Sequence, residues 1–219
     1  MGLIAVVGIV TYYFTPEYWE VGYEPEQPVA FSHQIHVGQL GIDCRYCHTN
    51  VEESNHSNVP DTATCMACHT GAGDAGYLNA SLWASHKENV HLTRVRQAYA
   101  TGEPIPWARI HKVPDYAHFN HAVHVNAGIS CYSCHGRIDT HEVARQVHSL
   151  SMAWCLECHR EPEEFVVAAS DLDPSKPRIT ALGEVSSLLA RSDYAETAGA
   201  ALVMERQLQP PQHCGACHY

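Results

Sequence analysis

All ten cysteines of this 219-residue chain fall in copies of one pentapeptide, Cys-x-x-Cys-His. The five copies are CRYCH (Cys44, Cys47, His48), CMACH (Cys65, Cys68, His69), CYSCH (Cys131, Cys134, His135), CLECH (Cys155, Cys158, His159) and CGACH (Cys214, Cys217, His218). A disulfide framework gives no reason for a histidine after every second cysteine, and structural zinc shared between Cys-x-x-Cys pairs would need an even number of pairs. The spacing suits a different chemistry. Two thiols three positions apart form thioethers to one porphyrin edge, and the adjacent imidazole turns beneath the ring to bind iron. The chain is therefore expected to carry five covalently bound haem c groups, one per motif.

A chain of this length would ordinarily build a substantial aliphatic core. This one has only four phenylalanines but seventeen histidines. Five flat apolar macrocycles supply the missing interior, so folding is coupled to cofactor attachment. The net charge of −11, made more negative by two propionates per haem, excludes nucleic acid as a partner.

Aligned on the motifs, the chain contains a duplication. Residues 31–48 read FSHQIHVGQLGIDCRYCH and residues 119–135 read FNHAVHVNAGISCYSCH, the second copy one residue shorter. A second Cys-x-x-Cys-His follows each, so the units 31–69 and 119–159 each hold two leading histidines and two haem motifs. A haem held by one imidazole needs a sixth ligand to become a low-spin electron carrier. Residues three apart meet on one helical turn, so His33 with His36, and His121 with His124, are expected to reach two closely packed irons each.

Outside the units, Ser85–Ala100 reads as a helix capped by Ser85 and Glu88 and stopped by Gly102, with Leu92, Val95 and Tyr99 as its apolar stripe and His91 at the edge. His86 and His91 are expected to pack, and His56, His118 and His141 to face solvent. Leu182, Val185, Leu188 and Leu189 mark another helix. A further one starts at Asp193 and Glu196 and ends near Gln207, before Pro210 and Pro211. At the amino terminus, Met1–Phe14 is almost wholly apolar and ends in Tyr12, Tyr13, Phe14, Tyr18 and Trp19, an aromatic belt that reads as a membrane anchor. At about 1.5 Å per residue the run reaches only about 20 Å, short of the roughly 30 Å hydrocarbon layer.

The leading pair resembles the class III cytochromes c, in which Phe-x-His-x-x-His precedes the first motif. The resemblance implies that His33 serves the Cys44 haem and His121 the Cys131 haem, while His36 and His124 cross to neighbouring haems. Longer strings, among them EPEQPVAFSHQIHVGQLGIDCRYCH, VPDTATCMACH, IPWARIHKVPDYAHFNHAVH and LSMAWCLECHR, resemble the pentahaem cytochrome subunit of bacterial alternative complex III. That family implies a quinol-oxidising membrane complex. The cytochrome would stand beside an iron-sulfur, molybdopterin-like subunit, integral quinol-oxidising subunits and a monohaem cytochrome c, with its haem domain on the periplasmic side. The His-x-x-Pro-Asp string common to that family makes His111 the first choice for the fifth distal ligand, with Met152 and His148 as alternatives.

The expected fold is a haem-packed multihaem cytochrome c of loops and short α-helices with little β. It divides into an anchor helix at 1–19, a tetrahaem region at 20–160 with a helical linker, and a helical segment at 161–219 carrying the fifth haem. All five motifs keep their histidine and further imidazoles suffice to saturate the irons, so the chain reads as an electron carrier, not an enzyme. The alternatives are an anchored cytochrome that oxidises quinol directly and a multihaem reductase with one open iron. Chain produced without haem attachment should be largely unfolded; a folded, haem-free preparation by circular dichroism and limited proteolysis would contradict this reading.

Overall fold

A computed structural model describes residues 2–14, 18, 20–69, 89–168 and 178–219. Among them the chain forms short helices joined by loops, and its only β pairing is one isolated antiparallel bridge between Ile129 and Val166. Helix α1 (Gly2–Phe14) is followed by a π-turn at Gln34–Gln39, α2 (Cys44–Cys47) and α3 (Thr62–His69). Then come α4 (Thr93–Thr101), α5 (His121–Ala127), α6 (Cys131–His135) and α7 (Met152–Arg160). The chain closes with α8 (Leu182–Leu189), α9 (Ala200–Glu205) and a 3-10 turn at Cys214–Ala216.

A helix, α1, forms where the transmembrane anchor is expected, but it is only 13 residues long. No helix among the described residues is long and apolar enough to cross a membrane. On α1 Leu3 is 77% and Ile4 74% exposed, and the rings of Tyr12, Tyr13 and Tyr18 cluster where the helix ends.

The duplicated strings fold alike, and the single-residue difference between them has a structural form. In both, the residue after the phenylalanine caps the distal-histidine turn: Ser32 Oγ accepts from the Ile35 N–H, and Asn120 Oδ1 from the Val123 N–H. The second copy continues as regular α5. The first carries its extra residue as a wider π-turn, the usual way a helix absorbs a one-residue insertion. Both then recover the same path, since Ile42 donates to the His36 carbonyl and Ile129 to the His124 carbonyl, each at 3.0 Å. A left-handed glycine turns the chain in each copy, Gly41 at φ 70° and Gly128 at φ 93°.

The two units clasp each other. Gln34 of the first donates to the His141 carbonyl of the second, and Ala122 of the second to the Ser54 carbonyl of the first. His141 and Ser54 both lie six positions beyond a motif histidine, so the contacts correspond under exchange of the units. This clasp corrects the expectation for His141, which is 5% exposed because the first unit's turn covers it.

A small apolar core of Val29, Met66 and Val95, joined by Leu92, Ile105 and Trp107, packs α3 against α4. Helix α4 ends at left-handed Gly102 as expected. It begins at Thr93, behind a 3-10 turn capped by Asn89; the Ser85 and Glu88 cap and His86 lie outside the described residues. Its buried stripe is Val95 with Ala98, whereas Tyr99 is exposed. Leu182 and Val185 bury α8 as the pattern implied. The last helical stretch opens as a π-turn at Ala195–Gly199, and Asp193 does not cap it through its side chain, which pairs instead with Arg191 at 2.9 Å.

This carboxy-terminal segment braces both units. Thr180 donates to the Asp43 carboxylate at 2.8 Å, and the buried Ser130 hydroxyl donates to the Ile179 carbonyl at 2.6 Å. Asp43 and Ser130 are the N-caps of α2 and α6, so one short turn at Arg178–Thr180 ties together the starts of the first haem motif of each unit. Ser130→Ala removes a cap and leaves a buried carbonyl without its donor, a loss of about 2 kcal/mol. The denaturation midpoint should fall while the haem content of the purified protein stays unchanged, and Ser130→Thr should recover most of the loss.

Candidate haem sites

Each Cys-x-x-Cys-His forms a tight helical turn that brings two thiols and an imidazole to one side, and in the first four copies this turn is a helix. The caps come from the residue before the motif (Asp43, Ser130) or a few positions earlier (Ser151, which accepts from the Trp154 N–H). Three motif histidines are held from behind by a backbone carbonyl. His48 Nδ1–H donates to Asn58 at 2.6 Å, His159 to Pro211 at 2.7 Å and His218 to Tyr116 at 2.8 Å. Such a bond places the proton on Nδ1 and leaves the Nε2 lone pair for a metal.

The leading histidines are held in the same way. His36 donates to the Ser32 carbonyl at 2.9 Å and His124 to the Asn120 carbonyl at 2.7 Å, corresponding acceptors in the two units. His121 donates across the clasp to Asn55 at 3.0 Å. A phenylalanine steers each pair. Phe31 stacks on His36 at 4.5 Å and stands edge-on to His33 at 4.9 Å; Phe119 does the same with His124 at 4.5 Å and His121 at 4.8 Å. The sequence reading gave these phenylalanines no role, although their place in the duplicated string was the available signal.

Two ring pairs test whether the residues fit a haem. His36 and His69 have centroids 6.1 Å apart, and His124 and His159 6.0 Å apart. With metal–imidazole bonds of about 2 Å, two rings on opposite sides of one iron stand about 6 Å apart, so both gaps match a bis-imidazole haem. In each unit the second leading histidine thus faces the second motif of its own unit.

Burial favours the neutral form of His33, His121, His124 and His135, the form that metal binding requires. It lowers His33 to about 4, with help from neighbouring His48, His141, His36 and His111. Burial likewise lowers His121 and His124, each partly offset by its carbonyl bond, and lowers His135 well below the ordinary value, with His111 next in effect. The Nδ1 of His33 is buried without a hydrogen-bond partner.

The thiols show which motifs adjoin. Interaction with Cys131, and then burial, raises Cys44. Cys47 is raised by burial and then by Cys65, Cys44 and Cys68. Burial, then Cys158 and Cys155, push Cys134 up to about 12, and burial with Cys155 and Glu157 pushes Cys158 up to about 11. Cys155 is raised by burial and then by Cys217. Spatial neighbours therefore run from the Cys65 motif through those at Cys44, Cys131 and Cys155 to that at Cys214.

The fifth motif sits between unit two and the segment before it. His118 N–H donates to the Cys217 carbonyl at 2.8 Å, and the Gln212 side chain to the His159 carbonyl at 3.2 Å. Of the residues expected to supply the fifth distal ligand, Met152 is 66% exposed at the start of α7 and His148 stacks on Trp154 at 5.2 Å. His111 stands beside His135, with ring centroids 4.4 Å apart and Nε2 3.3 Å from His135 Nδ1. Exposed His56 and His118 agree with the sequence reading, His118 stacking on Tyr219.

Residues 29–91 match the family model described as cytochrome c7 and related cytochrome c. The chain is also 30% identical over 112 residues to the multihaem cytochrome c subunit of menaquinone reductase from Nitratidesulfovibrio vulgaris (strain Hildenborough). That alignment covers 51% of this chain and 47% of the relative, so the chain spans about half the length of the curated relative it matches. The five motifs, the two spaced imidazole pairs and both likenesses describe a multihaem c-type cytochrome whose first unit is similar to the cytochromes c7.

Proposed function

We propose that this chain is the electron-relay subunit of a membrane complex that exchanges electrons with quinone. The continuous succession of adjoining motifs, with an imidazole pair spaced for one iron in each unit, carries the reading. Haem iron supplies one-electron chemistry; the chain sets its potential through ligand, burial and hydrogen bonding. Neighbouring motifs close enough for their thiols to perturb one another bring haem edges together, which is what a relay needs and an isolated reaction centre does not. Five haems are proposed, with His48, His69, His135, His159 and His218 as proximal ligands. His33, His36, His121 and His124 are the distal ligands of the Cys44, Cys65, Cys131 and Cys155 haems.

The resemblance to alternative complex III supports quinol oxidation, with electrons arriving from an iron-sulfur subunit and leaving to a monohaem cytochrome. The similar subunit of menaquinone reductase favours the opposite direction. The same succession of haems conducts either way, and the potentials of the partners decide which. The exposed apolar face and tyrosine cluster of α1 are proposed to hold the haem domain at the periplasmic membrane surface, against the bilayer or an integral partner.

The reduced wild-type protein should take up at most one equivalent of carbon monoxide, at the Cys214 haem, the one without an assigned distal ligand. His36→Ala and His124→Ala should each open one further iron and take up one additional equivalent, with loss of one bis-imidazole signal in near-infrared magnetic circular dichroism. Binding of more than one equivalent to the wild type would favour a reductase with an open iron. Reduction of the isolated subunit by quinol would favour the direct quinol dehydrogenase.

A further inference from the structure

His111 differs from the paired imidazoles in both distance and orientation. In the pairs spaced for iron the rings stand 6.0–6.1 Å apart, but His111 and His135 stand 4.4 Å apart at 87°, too close for a porphyrin between them. The nitrogen that His111 approaches is Nδ1 of His135, not the Nε2 that a motif histidine gives to iron. That is the position a backbone carbonyl occupies behind His48, His159 and His218. The Arg145 backbone lies beside the His111 ring.

We infer that His111 is a positioning residue for the Cys131 haem, taking the Nδ1–H of His135 on its own Nε2, and does not ligate iron. The inference rests on the multihaem reading and adds a specific tuning element to it. With His135 Nε2 on iron, its Nδ1 carries the only ring proton, so His111 must present an unprotonated Nε2 and carry its own proton on Nδ1, toward Arg145. An imidazole nitrogen is a stronger base than the amide carbonyls that serve the other motif histidines. It draws the proton harder, makes His135 a more electron-rich ligand and stabilises ferric iron. The Cys131 haem, in the middle of the succession, is thereby held at a lower potential than a carbonyl partner would give.

The test compares His111→Leu and His111→Gln in the haem-loaded protein by mass, near-infrared magnetic circular dichroism, carbon monoxide binding and potentiometric titration. Both variants should keep five haems, all the bis-imidazole signal of the wild type and no new carbon monoxide binding. One midpoint potential should rise in His111→Leu, and rise less in His111→Gln, whose side-chain carbonyl still accepts the proton. A new high-spin, carbon monoxide-binding haem in His111→Gln would make His111 an iron ligand and overturn the inference; this arm decides alone if the leucine variant does not assemble. Unchanged potentials in both variants would overturn it equally. Fewer than five haems in the wild type would instead count against the multihaem reading itself.

Discussion

The geometry of this protein depends on hydrogen bonds made on the far side of most of the candidate ligand imidazoles from their prospective metal. An imidazole has two nitrogens, and only the one without a proton can bind iron. By giving Nδ1–H a fixed acceptor, the chain decides which nitrogen that is and where the ring points. The acceptors of His48, His121, His159 and His218 come from remote loops. Those of His36 and His124 are local, one helical turn back. Local acceptors let the distal pair be duplicated as a cassette; remote ones make every motif depend on the assembly of the rest.

That dependence explains the arrangement of the two units. Each contributes its distal turn to the loop that follows the other's first motif, through Gln34 with His141 and Ala122 with Ser54. The Arg178–Thr180 turn then ties both N-caps to one point. The two first motifs are brought together closely enough for Cys131 to perturb Cys44, with the second motifs further out and the fifth beyond Cys155. Little conventional core is needed because the prosthetic groups, covalently held, are the apolar bodies around which short helices pack.

Some of this arrangement is legible in the string of residues because its cause is local. Five Cys-x-x-Cys-His motifs name their cofactor by spacing alone, and the repeated Phe-x-His-x-x-His announces a duplicated histidine turn. The one-residue difference between the repeats reappears as the π-turn at Gln34–Gln39, a local accommodation of a local insertion. Gly102 ends α4 and the Leu182 and Val185 stripe buries α8 for equally local reasons.

Other features arise from contacts between residues far apart in sequence, and no local pattern encodes them. His141 lies in polar sequence and is buried because another unit covers it. His111 carries a histidine's usual promise of ligation, yet a ring 24 positions away takes its Nε2. By itself the sequence determined the c-type haem chemistry of its repeated Cys-x-x-Cys-His motifs and the duplication of the Phe-x-His-x-x-His string, since each depends on spacing within a few residues. Tertiary structure alone decided which motif adjoins which and which imidazole stands behind another, because those depend on how two similar units clasp and on the carbonyls that loop closure brings within hydrogen-bond reach.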